Sequence, residues 1–312
     1  MNSTAALADA ELRFLVGPTG AGKSALALVL AERHGATLLS ADSRQIYRGF
    51  DIGTAKPSAA ERARVPHEGI DIADPTERWS AARWARDARE WIARAAAAQR
   101  PVIVVGGTGL WMQALVRPLA AEPAMDPERR AAVRAELALL DTEALRARVA
   151  TLDAPRAHLG RAQLLRAAEV ALVTGRRLSD LHAEQGTPAR HAARWLVVDP
   201  GAALDARLDA RRAEMVAAGW VREVEQLALR VPTDAAAWNA CGYREIREAV
   251  QGARSVDDAL GEVRVRTRQY AKRQRTWFRN QLDDVGPVLR LDPSSADAIE
   301  RADHWFTPGA TL

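Results

Sequence analysis

The sequence predicts an α/β fold: a parallel sheet with a phosphate-binding loop, covered by helices and carrying a helical insertion domain. Two observations support this. Short apolar runs alternate with helix-like stretches, and a glycine-rich loop joins the first run to the first helix. Continuous apolar strands between helices are typical of a parallel sheet that is buried on both faces. The expected strands are Leu12 to Val16, Thr37 to Ser40, Val102 to Val105, Trp195 to Val198 and Val288 to Leu291.

The loop after the first strand has the spacing of a phosphate-binding loop and precedes a helical run from Ala25 to Arg33. Glycines let the backbone N–H groups wrap an anion, a lysine neutralises terminal phosphate charge, and a serine offers its hydroxyl to Mg²⁺. We expect a phosphorylated ligand here. The predicted binding residues are Gly17, Pro18, Thr19, Gly20, Ala21, Gly22, Lys23 and Ser24, with Ser24 as the metal ligand.

The domain organisation follows from the strand pattern. Residues 119–190 contain no strand signal, although Asp126-Pro127 begins a helix through Leu140, and a second helix spans Gln163 to Val173. We predict a catalytic core of residues 1–118 and 191–312 and a helical insertion of residues 119–190. The expected later helices are Leu204 to Ala218, Trp220 to Arg230, Tyr243 to Val250 and Val256 to Asp283.

The composition indicates where the protein is located and whether it associates with a membrane. The chain has 312 residues, a single cysteine and no apolar stretch of the roughly 18 residues that span a bilayer, and we expect a cytoplasmic monomer without a membrane partner. The formal charge is +4. Lysine occurs only at Lys23, Lys56 and Lys272, and each lies in a candidate motif.

Asp42 follows the second strand, at the sheet edge from which the phosphate loop also emerges. It could bind metal, cap the next helix or act as a general base. The following segment, Asp51 to Pro57, indicates a surface loop that either binds a ligand or is merely solvated. After the third strand the chain has Gly106-Gly107-Thr108-Gly109 where a nucleotide hydrolase commonly has an acid, which disfavours ATP hydrolysis.

Basic residues line one face of the last long helix, beside the aromatic residues Tyr270 and Trp277. Such a face suits a nucleic-acid backbone. An ordinary solvated face paired with acids from elsewhere is equally compatible with the pattern. The face consists of Arg264, Arg268, Lys272, Arg275 and Arg279.

Together these motifs resemble the tRNA dimethylallyltransferase (tRNA isopentenyltransferase) family over nearly the whole chain. No zinc-finger-like tail follows Leu291, which favours the bacterial type. The segments that carry the resemblance are residues 17–24, 42–47, 51–57, 106–110, 242–245 and 267–277.

The resemblance implies transfer of a dimethylallyl group from dimethylallyl diphosphate to N6 of adenosine-37, 3′ of the tRNA anticodon, with Mg²⁺ as cofactor. It implies that Asp42 accepts the amine proton, that Thr108 orients the reactants and that Arg211 joins the diphosphate site. The acceptor base would leave its stack to reach the site.

The resemblance also implies contacts with the tRNA anticodon stem-loop, partly from the insertion. The implied contact residues are Asp42, Ser43, Arg44, Gln45, Thr108, Arg130, Gln163, Leu164, Leu165, Arg166, Asn239, Ala240, Cys241, Gly242, Tyr243, Arg244, Lys272, Arg273, Gln274, Arg275, Thr276, Trp277, Phe278 and Arg279.

Two other functions remain as alternatives at this point. An isopentenyltransferase acting on free adenine nucleotides could use the same loop, Asp42 and Thr108. The helical insertion and the basic helix disfavour it. A nucleic-acid-binding ATPase or small-metabolite kinase is disfavoured because the third strand lacks an acid.

Overall fold

The computed structural model describes residues 11–117, 123–184, 191–282 and 285–307. The chain divides into two compact units, one of Met1–Arg117 with Arg190–Leu312 and one of Pro118–Ala189. In the described residues, no helix is both long enough and apolar enough to cross a membrane.

The larger unit contains a six-stranded, all-parallel sheet in the order β3-β2-β4-β1-β5-β6, which confirms the predicted α/β fold. All five predicted strands form. The additional strand, β3, is a two-residue edge strand that contains no apolar run from which it could be predicted. The strands are β1 Leu12–Val16, β2 Thr37–Ala41, β3 His67–Glu68, β4 Val102–Gly106, β5 Ala193–Val198 and β6 Val288–Leu291.

Both faces of this sheet are buried, because successive side chains of a strand point to opposite sides. On one face Phe14 stacks on Trp195 with ring centroids 4.1 Å apart. On the other face Leu15 belongs to a cluster with Leu30 and Trp305. The helices between β1 and the insertion are α1 Lys23–His34, α2 Ala59–Arg64, α3 Ala81–Ala97 and α4 Gly109–Val116.

The smaller unit is helical in its described part. The helix predicted from Asp126-Pro127 through Leu140 forms and ends at Ala138. A further helix begins after Asp141, whose carboxylate accepts the Ala144 N–H and so caps it. The helices are α5 Pro127–Ala138, α6 Thr142–Leu152, α7 Arg161–Thr174 and α8 Leu178–Glu184.

The C-terminal part of the larger unit is again mostly helical. Helix α12 ends three residues before its predicted end, at Asn280, and residues 283–284 lie outside the described residues. The helices are α9 Leu204–Ala217, α10 Trp220–Ala228, α11 Tyr243–Val250, α12 Val256–Asn280 and α13 Ala298–Phe306.

Candidate active site

The phosphate-binding loop connects β1 to α1 at the carboxyl edge of the sheet. Gly22 stands immediately before α1 with φ +95°, a left-handed conformation that a residue with a side chain rarely adopts. No side chain caps the helix, and its first turn contains no acid. The first N–H groups of α1 therefore have no side-chain acceptor, and they are oriented as an anion site requires.

Lys23 begins α1 and lines a cavity with a volume of about 640 Å³. Its Nζ donates a hydrogen bond to the Pro18 carbonyl at 2.7 Å. Burial, and then the positive charge of Arg211, lower the pKa of Lys23 to about 7, while the Asp42 carboxylate opposes the change. The side chain is enclosed by protein atoms and keeps only part of its surface towards the cavity.

Asp42 follows β2 directly and lines the same cavity. Its Oδ1 accepts the Arg44 N–H at 2.9 Å, which fixes the turn after the strand. The second carboxylate oxygen has no hydrogen bond among the described residues. A carboxylate with a spare acceptor thus lies beside Lys23 and Arg211, both of which also line the cavity.

Thr108 supports this arrangement from the loop after β4. Its Oγ1 accepts the Ser43 N–H at 3.1 Å, and its own N–H donates to the Ala41 carbonyl at 3.2 Å. The Thr108 hydroxyl is also hydrogen-bonded to Tyr270, whose pKa is raised by burial and then by the negative charge of Asp42. Thr108 is therefore brought to Asp42 and Ser43, although Tyr270 and not Thr108 forms part of the cavity wall.

Gln274 holds two loops of the site together. Its Oε1 accepts the Thr19 N–H at 2.8 Å and its Nε2 donates to the Gly107 carbonyl at 3.0 Å. A Cβ on Gly107 would lie 2.1 Å from that Nε2, so this glycine is needed for the approach of α12. Gln274 is 6% exposed and lines the cavity, and its contact with RNA stays a prediction beside this bridge between the loops.

Three of the five cations on the basic face of α12 are paired with acids, as the second of the two alternatives for this face expects. Arg264 donates to both oxygens of Asp209 at 2.9 and 2.8 Å, and Arg268 shares the same carboxylate at 2.9 Å. Arg275 donates to Asp199 at 2.9 and 2.5 Å. The solvated-face alternative is therefore right for these three.

The remaining two members of the face, Lys272 and Arg279, are exposed and make no ion pair within the part of the chain that the structure describes. They stay available to a phosphate backbone. Their neighbour Arg273 is also exposed, with its guanidinium 5.8 Å from the Tyr270 ring centroid. Thr276 is exposed as well, whereas Trp277 packs over Gly109.

Four other predicted RNA contacts have buried side chains, although Ala240 also lines the cavity. Leu164, Ala240, Tyr243 and Phe278 are between 0% and 3% exposed. Leu164 belongs to the core of the insertion, and Phe278 and Tyr243 belong to the core of the larger unit. The contacts of these four residues with RNA stay predictions.

Several polar candidates already have partners in the protein. The Gln45 amide accepts from Ser40 Oγ and donates to the Thr54 and Ala55 carbonyls. The Asn239 Oδ1 accepts from Arg244 at 2.8 Å, and Gln163 Oε1 accepts the Gly160 N–H at 3.1 Å.

Five further candidates are placed by local contacts. In the insertion, Arg130 and Arg166 both pair with the buried Glu169. Cys241 Sγ lies 3.4 Å from Thr267 Oγ1 in the cavity wall. Leu165 is half-buried against the insertion core, and Gly242, with φ +91°, precedes α11.

The segment Asp51 to Pro57 is held more firmly than a solvated loop. The Lys56 ammonium, 2% exposed, pairs with Asp51 and Asp71. Glu223 on α10 accepts the Ile52 N–H at 2.8 Å and the Tyr243 hydroxyl at 2.6 Å. Sequence reasoning missed this network because its acids and its loop are far apart in the chain.

The fold and the cavity define an α/β protein with a phosphate-binding loop, and comparison with known proteins adds the family. The IPP transferase family model matches residues 45–281, and the Isopentenyl transferase model matches residues 10–68. The chain belongs to the IPP transferase family.

Curated relatives agree along nearly the whole chain. A tRNA dimethylallyltransferase of Halorhodospira halophila is 44% identical over 305 residues, covering 95% of this chain and 96% of that protein. Another, from an Anaeromyxobacter species, is 44% identical over 297 residues, covering 93% of this chain and 98% of that protein.

Solved structures give the same family. The full-length tRNA isopentenylpyrophosphate transferase of Bacillus halodurans aligns with a TM-score of 0.68 at 30% identity, covering 95% of each chain. A eukaryotic dimethylallyltransferase acting on tRNA aligns with a TM-score of 0.77 at 25% identity, covering 94% of this chain and 77% of that one.

Proposed function

We propose that this chain transfers a dimethylallyl group from dimethylallyl diphosphate to N6 of adenosine-37 in tRNA, giving N6-(dimethylallyl)adenosine. The observation that carries the proposal is the shared cavity of Lys23, Arg211 and Asp42. It combines an anion site for a leaving group with a carboxylate that has a spare acceptor. The tRNA dimethylallyltransferases and tRNA-modifying structures among the relatives support the choice of substrates.

The reaction needs one group that stabilises the departing diphosphate and another that accepts the proton of the attacking amine. The N6 amine attacks C1 of the dimethylallyl group, the C–O bond to the diphosphate breaks, and its electron pair leaves with the diphosphate. Lys23, Arg211 and the first N–H groups of α1 stabilise that growing negative charge. The amine proton passes to the Asp42 carboxylate, while Thr108 and Tyr270 hold the loop that carries Asp42.

We propose Mg²⁺ as the cofactor, and the residues present fit it. The Ser24 hydroxyl is exposed in the first turn of α1, and no cluster of three or more His, Cys, Asp or Glu side chains exists in the described residues. Mg²⁺ commonly binds through few protein oxygens, with substrate phosphates and water as its other ligands. When bound, it would neutralise diphosphate charge, with Ser24 as its protein ligand.

We propose the tRNA anticodon stem-loop as the macromolecular partner. Lys272, Arg273 and Arg279 are exposed near the end of α12, where they can neutralise phosphates. The helical insertion of residues 119–190 is the second proposed contact region. A monomeric enzyme in the cytoplasm completes the proposal, since the acceptor is found there.

A transferase acting on free adenine nucleotides is the second candidate, because the Isopentenyl transferase model matches the segment that holds the phosphate loop. The two candidates differ in the acceptor. The test incubates the protein with dimethylallyl diphosphate and Mg²⁺ and offers tRNA, an isolated anticodon stem-loop, or adenosine monophosphate, followed by mass spectrometry of the nucleosides.

We expect product on tRNA and on the stem-loop, and none when adenosine-37 is replaced by guanosine. Faster prenylation of adenosine monophosphate than of tRNA would instead support the second candidate. ATP turnover without any prenyl transfer would contradict both.

A further inference from the structure

Arg207 lies on α9, one turn before Arg211, and its guanidinium rests against the phosphate-binding loop. Its terminal nitrogen is 2.8 Å from the position that a Cβ on Gly22 would occupy. Residues four apart on a helix share a face, so Arg207 and Arg211 approach the loop from the same helix. Only the absence of a side chain at Gly22 permits this approach.

Arg207 and Arg211 are the cations of α9 that have no hydrogen-bonded partner in the described residues, whereas Arg212 donates to the Leu260 carbonyl at 3.2 Å. The acids of this helix are engaged elsewhere, since Asp209 binds Arg264 and Arg268. In the described residues Arg207 makes no ion pair and no hydrogen bond. The pKa of Asp292 is lowered mainly by hydrogen bonds from the Ser294 hydroxyl at 2.6 Å and N–H at 2.9 Å, and also by the positive charge of Arg207.

Three positive side chains, Lys23, Arg207 and Arg211, therefore surround a loop whose helix begins without an acid. The repulsion between Lys23 and Arg211 costs free energy in the absence of a ligand, because it contributes to the lowered pKa of Lys23, and the Asp42 carboxylate opposes that shift. A ligand with several negative charges would remove this cost. A guanidinium is well suited to it, because its planar N–H groups can bind two phosphate oxygens together.

We propose that Arg207 is a binding residue for the diphosphate, which it holds from the Gly22 side while Arg211 and Lys23 hold it from the cavity side. This inference rests on the proposed function, because it takes the diphosphate of the prenyl donor as the ligand of the loop. Arg207 does not line the main cavity, so it contacts the phosphates and neither the prenyl group nor the acceptor base.

The test measures binding of inorganic diphosphate with Mg²⁺ by calorimetry, in the wild type and in Arg207→Ala and Arg207→Lys. We expect Arg207→Ala to weaken binding by about 10- to 100-fold, since a charge-assisted contact is lost. Arg207→Lys should recover part of the loss, because it keeps the positive charge but lacks the planar guanidinium that can bind two phosphate oxygens. The matched control is Arg222→Ala, which removes an exposed arginine from α10 and should bind as the wild type does.

A second measurement separates binding from a structural role. Arg207→Ala should leave the affinity for tRNA unchanged while the KM for dimethylallyl diphosphate rises. If Arg207→Ala does not fold, Arg207→Gln, which keeps part of the aliphatic stem and a polar end but removes the charge, takes its place. Diphosphate affinity within about twofold of the wild type in both the alanine and the lysine variant overturns the inference alone, provided that the wild type prenylates tRNA. A wild type that neither binds diphosphate nor prenylates tRNA overturns the proposed function as well.

Discussion

The cations around the phosphate-binding loop and the cations along α12 differ in their partners. Around the loop, Lys23 donates only to a carbonyl, and Arg207 has no ion pair in the described residues. Along α12, Arg264 and Arg275 each donate two hydrogen bonds to a carboxylate. Both regions look equally basic in the sequence.

This difference separates charge that binds a ligand from charge that holds the fold. A paired arginine has its hydrogen bonds satisfied and offers little to an incoming phosphate. An unpaired, partly buried cation is costly, as the lowered pKa of Lys23 shows, and it persists where a ligand provides the compensation. The predictions below test whether the two regions divide in this way.

The largest expected effect is at Asp42, the carboxylate among the cations of the loop. Asp42→Asn keeps the hydrogen bond to the Arg44 N–H and removes the proton acceptor. We expect kcat to fall by about 10²- to 10⁴-fold while tRNA affinity changes little. Single-turnover measurements provide the check. An unchanged single-turnover rate would reduce Asp42 to a residue that fixes the turn.

The next largest effect is on tRNA binding, in which the unpaired cations of α12 should contribute more than the paired ones. The double variant Lys272→Ala with Arg279→Ala should lower the slope of log affinity against log salt by about 1.4 to 1.8, if each side chain contacts one phosphate. The matched double variant Arg264→Ala with Arg268→Ala removes the same charge from the paired positions and should change the slope far less. Titration of tRNA at several salt concentrations measures both. Equal slopes for the two variants would contradict the division.

A smaller effect is expected on stability. Arg275→Ala removes a two-point ion pair with Asp199 that joins α12 to the segment after β5, and should lower the free energy of unfolding by about 1 to 2 kcal/mol. Lys272→Ala removes an exposed and unpaired cation and should change it by less than about 0.5 kcal/mol. Urea unfolding of both variants is the measurement. A loss from Lys272→Ala as large as that from Arg275→Ala would argue against the comparison.

The smallest expected effect is the uptake of a proton when diphosphate binds. Because the folded pKa of Lys23 is about 7, this side chain is roughly nine-tenths neutral at pH 8, and an anionic ligand should restore its proton. Diphosphate binding at pH 8 should therefore take up close to one proton more in the wild type than in Lys23→Met. Calorimetry in buffers of different ionisation enthalpy gives the number. Equal proton uptake by the wild type and Lys23→Met would mean that the proton binds to the ligand and not to Lys23.

The same shift fixes the sign of a stability effect. The folded pKa lies below the unfolded value, so the unfolded chain binds more protons between about pH 7 and 10. The cost of Lys23 to the ligand-free fold is therefore complete below pH 7 and is relieved as the pH rises. Lys23→Met should stabilise the ligand-free protein most below pH 7 and least near pH 10.

The sequence predicted well what depends on local pattern. The five apolar runs became strands because a buried parallel strand needs a continuous apolar segment. The loop from Gly17 to Ser24 was recognisable because its glycines and its lysine are adjacent in the chain. Asp42 could be placed at the sheet edge because every parallel strand of a sheet ends there.

The sequence could not predict which polar side chains meet. Gln274 was read as a contact with RNA, yet it bridges Thr19 and Gly107, which are more than 150 residues away in the chain. Tyr243 was likewise read as a contact, yet it lies in the core with its hydroxyl bound to Glu223. Long-range partners of this kind leave no periodic signal in the sequence.

By itself, then, the sequence determined the α/β sheet, the phosphate-binding loop and the position of Asp42, because these follow from neighbouring residues and from the rules of strand and helix periodicity. The tertiary structure alone decided that Arg264, Arg268 and Arg275 are paired and that Arg207 faces Gly22 with no ion pair or hydrogen bond in the described part of the chain. An arginine has the same charge in either case. Whether that charge supports the fold or remains available to a ligand depends on the carboxylates that folding brings within hydrogen-bond distance.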